Sequence, residues 1–121
     1  MIRACLVVSI VSALTLAGAL LSVAAHAQTV TVDQFQHPKT DKDMSFNKTY
    51  LLGVRDGLMA YNMSTEDKVF CIGGDAPLTF EQASDIVIRW SHKKTVSAGG
   101  LPLGLALLYG LRDSFPCPRS R

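Results

Sequence analysis

Charge of either sign is scarce in this chain. Only 18% of its 121 residues are Asp, Glu, Lys or Arg, and twelve basic residues stand against ten acidic ones. A balance so close to neutral excludes the basic footprint that nucleic-acid binding needs, and it gives no sign of docking to an acidic surface. Catalytic patterns are missing as well. There is no phosphate loop, no dinucleotide fingerprint and no hydrolase signature. Asp56 and Asp85 are the only acids well inside predicted helices, and nothing makes them a catalytic pair. Serines are plentiful, yet no serine, histidine and acid can be argued to meet. These absences point to a chain that works by binding, with no cofactor and no turnover of its own.

One long hydrophobic run exists, and it stands at the start. Arg3 supplies a positive beginning, Leu6 to Val23 is almost unbroken apolar sequence, and Ala25-His26-Ala27 places small residues where a signal peptidase needs them. Residues 1–27 therefore read as a cleaved secretory signal peptide, with Gln28 as the first residue of the exported chain and the periplasm as its destination. No cysteine stands at the cleavage point, which argues against a lipoprotein. Removing the segment leaves 94 residues, enough for one small domain, with eleven basic and ten acidic groups.

Cysteine is equally sparse. Cys5 leaves with the signal peptide, and Cys71 and Cys117 remain. In an exported protein two such cysteines read as one disulfide. A metal site is the alternative, but only His37 and His92 remain to support it and neither stands at a ligand spacing from a cysteine.

Residues 28–44 read as an N-terminal extension and connector. Thr31 caps one short helical turn carrying Val32 and Phe35, Pro38 stops it, and Lys39 to Asp43 is polar. The central element is predicted from Ser45 to Asn62. At about 100° per residue, Phe46, Tyr50, Gly53, Val54, Gly57, Leu58 and Tyr61 share one arc. Glycine within a helix costs about 1 kcal/mol against alanine, so two placed one turn apart suggest a packing centre over which another backbone passes, with Phe46, Tyr50 and Tyr61 closing its sides. The plainer alternative is two tolerated glycines on an ordinary core face. Lys48, Arg55 and Asn62 fall opposite, as a solvated side would. Leu52 and Met59 also fall there, so that side is either sandwiched between neighbours or part of a contact surface.

Val69 to Ile72 is an apolar knot, and Gly73-Gly74-Asp75 marks a turn. Thr79 then opens a helix, with Gln82 completing a capping box. Phe80, Ala83, Ile86, Val87 and Trp90 share its apolar face, and Asp85 stands one turn before Arg89 on the other. His92, Lys93 and Lys94 suit the negative end of the helix dipole. Thr95 to Leu101 reads as a glycine-bearing loop, and Pro102 as the first residue of a last helix ending near Phe115 that is apolar almost all round. The fold class expected is all-α: a small helical bundle with one disulfide, its three main helices in a domain over residues 45–118, plus the short N-terminal helix before it and a polar tail at 119–121.

The order of Tyr50-Leu-Leu-Gly-Val-Arg-Asp-Gly-Leu58, Phe70-Cys71-Ile72, a capped helix with Asp85-Ile-Val, and Leu111-Arg-Asp-Ser-Phe-Pro-Cys117 resembles the Rap/Tai family of immunity proteins associated with type VI secretion. The resemblance runs from about Phe46 to Pro118. It implies a small helical, disulfide-stapled periplasmic protein that binds and blocks a peptidoglycan-cutting amidase effector. Many members carry a second cysteine pair, near the mature start and just before the glycine helix. This chain has Val32 to Gln36 and Ser45 to Thr49 in those places, without cysteine.

Two functions are therefore expected to compete. The first is an immunity protein whose Thr95–Leu101 loop enters the cleft of a cell-wall amidase, with Ser97, Gly99 and Gly100 as candidate contacts. The second is a general envelope factor, such as an acid-stress chaperone or assembly protein, which releases apolar surface when its carboxylates are protonated below about pH 4.

Overall fold

The computed structural model describes residues 29–74, 77–94 and 98–119. The signal-peptide expectation lies outside these residues, as does Ser97. Among the described residues the chain forms four α-helices and no strands: α1 (Val32–Gln36), α2 (Asp41–Ser64), α3 (Phe80–Lys93) and α4 (Leu103–Ser114), with a 3-10 turn at Ala98–Gly100. This is the expected bundle of three main helices and a short first one.

Five residues are too few for a helix to persist by itself. α1 exists because both its ends are tied. Thr31 Oγ1 accepts the Gln34 amide at 3.3 Å while Gln34 Oε1 accepts the Thr31 amide at 3.0 Å. The chain before it pairs with the entry to α4, where Leu103 N donates to Val30 O at 2.8 Å and Val32 N donates to Leu101 O at 3.0 Å. Val30 and Val32 are buried in the core. The segment read as an extension is thus an integral part of the fold.

α2 begins earlier than expected, because Thr40 caps it through the Asp43 amide at 3.0 Å and Asp41 and Asp43 complement the positive end of its dipole. Its 24 residues reach about 36 Å. α3 starts at the expected capping box, with Thr79 Oγ1 accepting from the Gln82 amide at 3.2 Å and Gln82 Oε1 accepting from the Thr79 amide at 2.8 Å. It buries Ala83, Ile86, Val87 and Trp90, and its outer face carries the Asp85–Arg89 pair at 2.8 Å.

Glu81 stands in the first turn of α3, and its carboxyl is held below the ordinary glutamate range. Its own backbone N–H is the largest cause, then the Thr79 hydroxyl, with the Lys48 ammonium adding a smaller pull. A depressed carboxyl stabilises the fold above its ordinary pKa, and that contribution disappears as pH falls through the lowered value. Stability should therefore decline modestly on acidification below about pH 4.5, and Glu81→Gln should flatten that decline in urea midpoints taken at successive pH values. An unaltered pH profile in the variant would contradict the assignment.

α3 and α4 pack most closely, and a glycine makes that possible. A Cβ at Gly110 would stand 2.6 Å from Ile86 Cγ2, 3.2 Å from the Ile86 carbonyl oxygen and 3.4 Å from Trp90 Cβ. Leu103, Ala106, Leu107 and Leu111 complete the buried side of α4. The end of α4 is stapled to the loop after α2 by Cys71–Cys117, with Cα atoms 4.9 Å apart, and the Cys71 amide donates to Phe115 O at 2.8 Å.

Candidate partner-binding surface

α2 determines what the bundle offers to its surroundings, and its orientation differs from the sequence expectation. Asn47 and Leu51 are buried, and Val54, Arg55, Leu58 and Asn62 are half-buried beside them. Gly53 and Gly57 lie on the opposite, exposed side, and a Cβ at either would meet nothing within 4 Å. Tyr61 is 61% exposed and Phe46 49%, while Tyr50 is half-buried. The expected packing centre of Tyr50, Gly53, Gly57 and Tyr61 is therefore corrected: among the described residues no backbone passes over the two glycines.

The reason lies in polar side chains that found partners inside. Arg55 Nη1 donates to the Leu78 carbonyl at 2.6 Å and holds Asp56 through Nε at 2.8 Å, which ties α2 to the approach of α3. Asn62 Nδ2 donates to Phe70 O at 2.9 Å, and its Oδ1 accepts the amides of Val69 and Phe70 at 2.8 and 3.3 Å. Asn47 Nδ2 donates to Gln34 O at 2.8 Å and fixes α1 against α2. Each inner polar group satisfies backbone that would otherwise lose its partners on burial. Among the described residues no buried side-chain nitrogen or oxygen is left without one. Lys68 closes the far end of α2 by donating to the carbonyls of Asn62, Met63 and Thr65.

Once those groups face inward, the aromatic and glycine positions must face out. Phe46, Tyr50, Gly53, Gly57, Ala60 and Tyr61 form one strip along α2 that carries no charge. The Phe46 and Tyr50 rings stand 6.2 Å apart at 37° within it. An uncharged aromatic strip on a small domain is the kind of surface that marks protein contacts, and glycines in its middle let a partner approach the helix backbone closely. Since the isolated fold gains nothing from either glycine, Gly53→Ala and Gly57→Ala should each raise stability by about 0.5–1 kcal/mol in chemical denaturation. Destabilisation by either would mean that the glycine packs against this chain after all.

The loop candidates stand elsewhere. Gly99 is half-buried and Gly100 exposed in the 3-10 turn, which is anchored by buried Ala98 and by the Leu101 amide donating to Ala98 O at 3.0 Å. α4 adds exposed Leu105 and Tyr109, the latter stacked on Trp90 at 5.6 Å. A cavity of about 350 Å³ opens between α1 and the start of α2, lined by Gln34, His37, Lys39, Asp43 and Asn47 among others. The described residues bring no group of three or more His, Cys, Asp and Glu together at metal-binding distances. No helix among them is long and apolar enough to cross a membrane.

The fold is thus a stapled helical scaffold with an uncharged aromatic strip exposed along α2. The family model of Rap1a immunity proteins matches residues 17–117, and the chain belongs to that family. Its members act on a protein effector, which is the kind of partner such a strip suits. No curated protein and no solved structure matches the chain.

Proposed function

We propose that this protein is a periplasmic immunity protein that binds and blocks a peptidoglycan amidase effector of type VI secretion. Membership of the immunity family carries the reading. The N-terminal sequence supports export, since an apolar run ending in Ala25-His26-Ala27 precedes the folded residues. The single disulfide suits an oxidising compartment. The protein acts by occupying the effector rather than by turning over a substrate.

The α2 strip is the principal face offered to the effector, and Gly99 with Gly100 provides a second contact. Glycine at positions 53 and 57 withholds helix stability that alanine would supply, and close approach by a partner gives that sacrifice a purpose. The test is co-production with a type VI peptidoglycan amidase effector from the same genome, directed to the periplasm. Cells carrying the wild-type protein should survive. Cells carrying Gly57→Arg, in which a long charged side chain stands in the strip, should lyse although the variant remains folded. Lysis that proceeds unabated with the wild-type protein present would sink the proposal. Full protection by Gly57→Arg would remove the strip from it.

A further inference from the structure

The corner where α1 turns into α2 holds a cleft. Two cavities, of about 350 and 260 Å³, open there and share Pro38 and Asn47 as lining. The larger is polar, with Gln34, Lys39 and Asp43 exposed around it and the Phe46 ring beside them. The smaller is more apolar, with Phe35, Met44, Phe80 and Ile88 in its wall. The larger cavity falls within the range of roughly 300–1,000 Å³ that small-molecule sites occupy.

Two features of this cleft serve nothing within the fold. Asn47 is only 6% exposed, and its Nδ2 donates to Gln34 O at 2.8 Å, which sets the orientation of the amide. Its Oδ1 has no hydrogen-bond partner among the described residues. No fully buried side-chain oxygen among them goes without a partner, so this one opens onto the cleft that Asn47 lines. The second feature is the pair Lys39 and Asp43. They are opposite charges on one cavity, and neither is in an ion pair among the described residues.

A nearly buried acceptor left unpaired favours a ligand that brings a donor. The charges outline the rest: Lys39 suits a carboxylate and Asp43 an ammonium. The two residues stand four apart around the start of α2, so both ligand charges belong on one small head group. We propose that the cleft binds a free α-amino acid with an apolar side chain. Its carboxylate pairs with Lys39 and accepts from Gln34 Nε2, while its ammonium pairs with Asp43 and donates to Asn47 Oδ1. Its side chain lies among Phe35, Met44 and Phe80. The occupant also touches Phe46, the first residue of the α2 strip, but its binding does not depend on the effector reading.

The experiment titrates the purified, oxidised protein with L-leucine and L-phenylalanine, read by calorimetry and by backbone amide shifts. Binding should saturate, with shifts centred on residues 34–48. N-acetyl-L-leucine lacks the ammonium and L-leucinamide lacks the carboxylate, so each should bind at least about tenfold more weakly than leucine. Lys39→Gln and Asp43→Asn alter only exposed side chains, and each should weaken leucine by about tenfold in a protein that stays folded. No saturable binding of either amino acid up to roughly 10 mM would overturn the proposal. Blocked leucines that bind as well as leucine would overturn it too, as would full affinity in both variants or shifts centred away from the cleft.

Discussion

Reducing the Cys71–Cys117 bridge should remove about 4 kcal/mol from the stability of the fold, because the bridge closes a loop with a sequence separation of 46. Domains of this size hold only about 5–15 kcal/mol in total, so the loss is a large share. The structure shows what the staple secures. The connection from α2 to α3 carries Phe70, which is fully buried, and its route is set by Asn62 on one side and by Phe115 on the other. The disulfide fixes that connection to the end of α4. Melting with and without reductant, or of Cys71→Ser with Cys117→Ser, should show a fall on the order of 20 °C. A melting temperature indifferent to reduction would contradict this role.

Gly110→Ala should destabilise the protein by about 1–3 kcal/mol, although alanine is the better helix former. The added methyl would enter the contact between α3 and α4, 2.6 Å from Ile86 Cγ2 and 3.2 Å from a backbone oxygen. Ile86 is itself buried among Ala83, Val87 and Leu107, so it has little room to yield. The same substitution should therefore have opposite signs at Gly110 and at Gly53 or Gly57. Urea denaturation of the three variants measures this directly. A Gly110→Ala protein as stable as the parent would mean that the two helices can part at no cost.

Elements with local signals were legible in the sequence. Thr79 and Gln82 stand three residues apart ahead of an apolar stripe, and the helix starts there with the expected inner face. Pro102 and Pro116 bracket α4, and the two cysteines beyond the apolar N-terminal run leave one pairing. The facing of α2 was not legible. Its aromatic residues pull any count of apolar character toward the outer side. Its inner side is held by Arg55 and Asn62, whose partners are Leu78, Val69 and Phe70, chain that comes from outside the helix. Polar residues with distant backbone partners look solvated until the fold supplies those partners. The helical glycine that lies under a neighbouring backbone is Gly110. Ala106 and Gly110, one turn apart in the apolar helix, were the available signal. Thr40 with Asp43 likewise marked the true start of α2 inside a stretch that reads as a polar connector.

The candidate surface follows from that reversal. Gly53, Gly57 and Tyr61, expected to form a packing centre inside the fold with Tyr50, lie exposed on it, which is why the strip is offered above as the face for a partner.

The most direct measurement is a titration of the purified, oxidised protein into a type VI peptidoglycan amidase effector from the same genome while peptidoglycan cleavage is followed. Activity should fall linearly to near zero and break sharply at one molecule of this protein per effector molecule, with Gly57→Arg leaving it unabated. Undiminished cleavage at a tenfold molar excess of the wild-type chain would contradict the account.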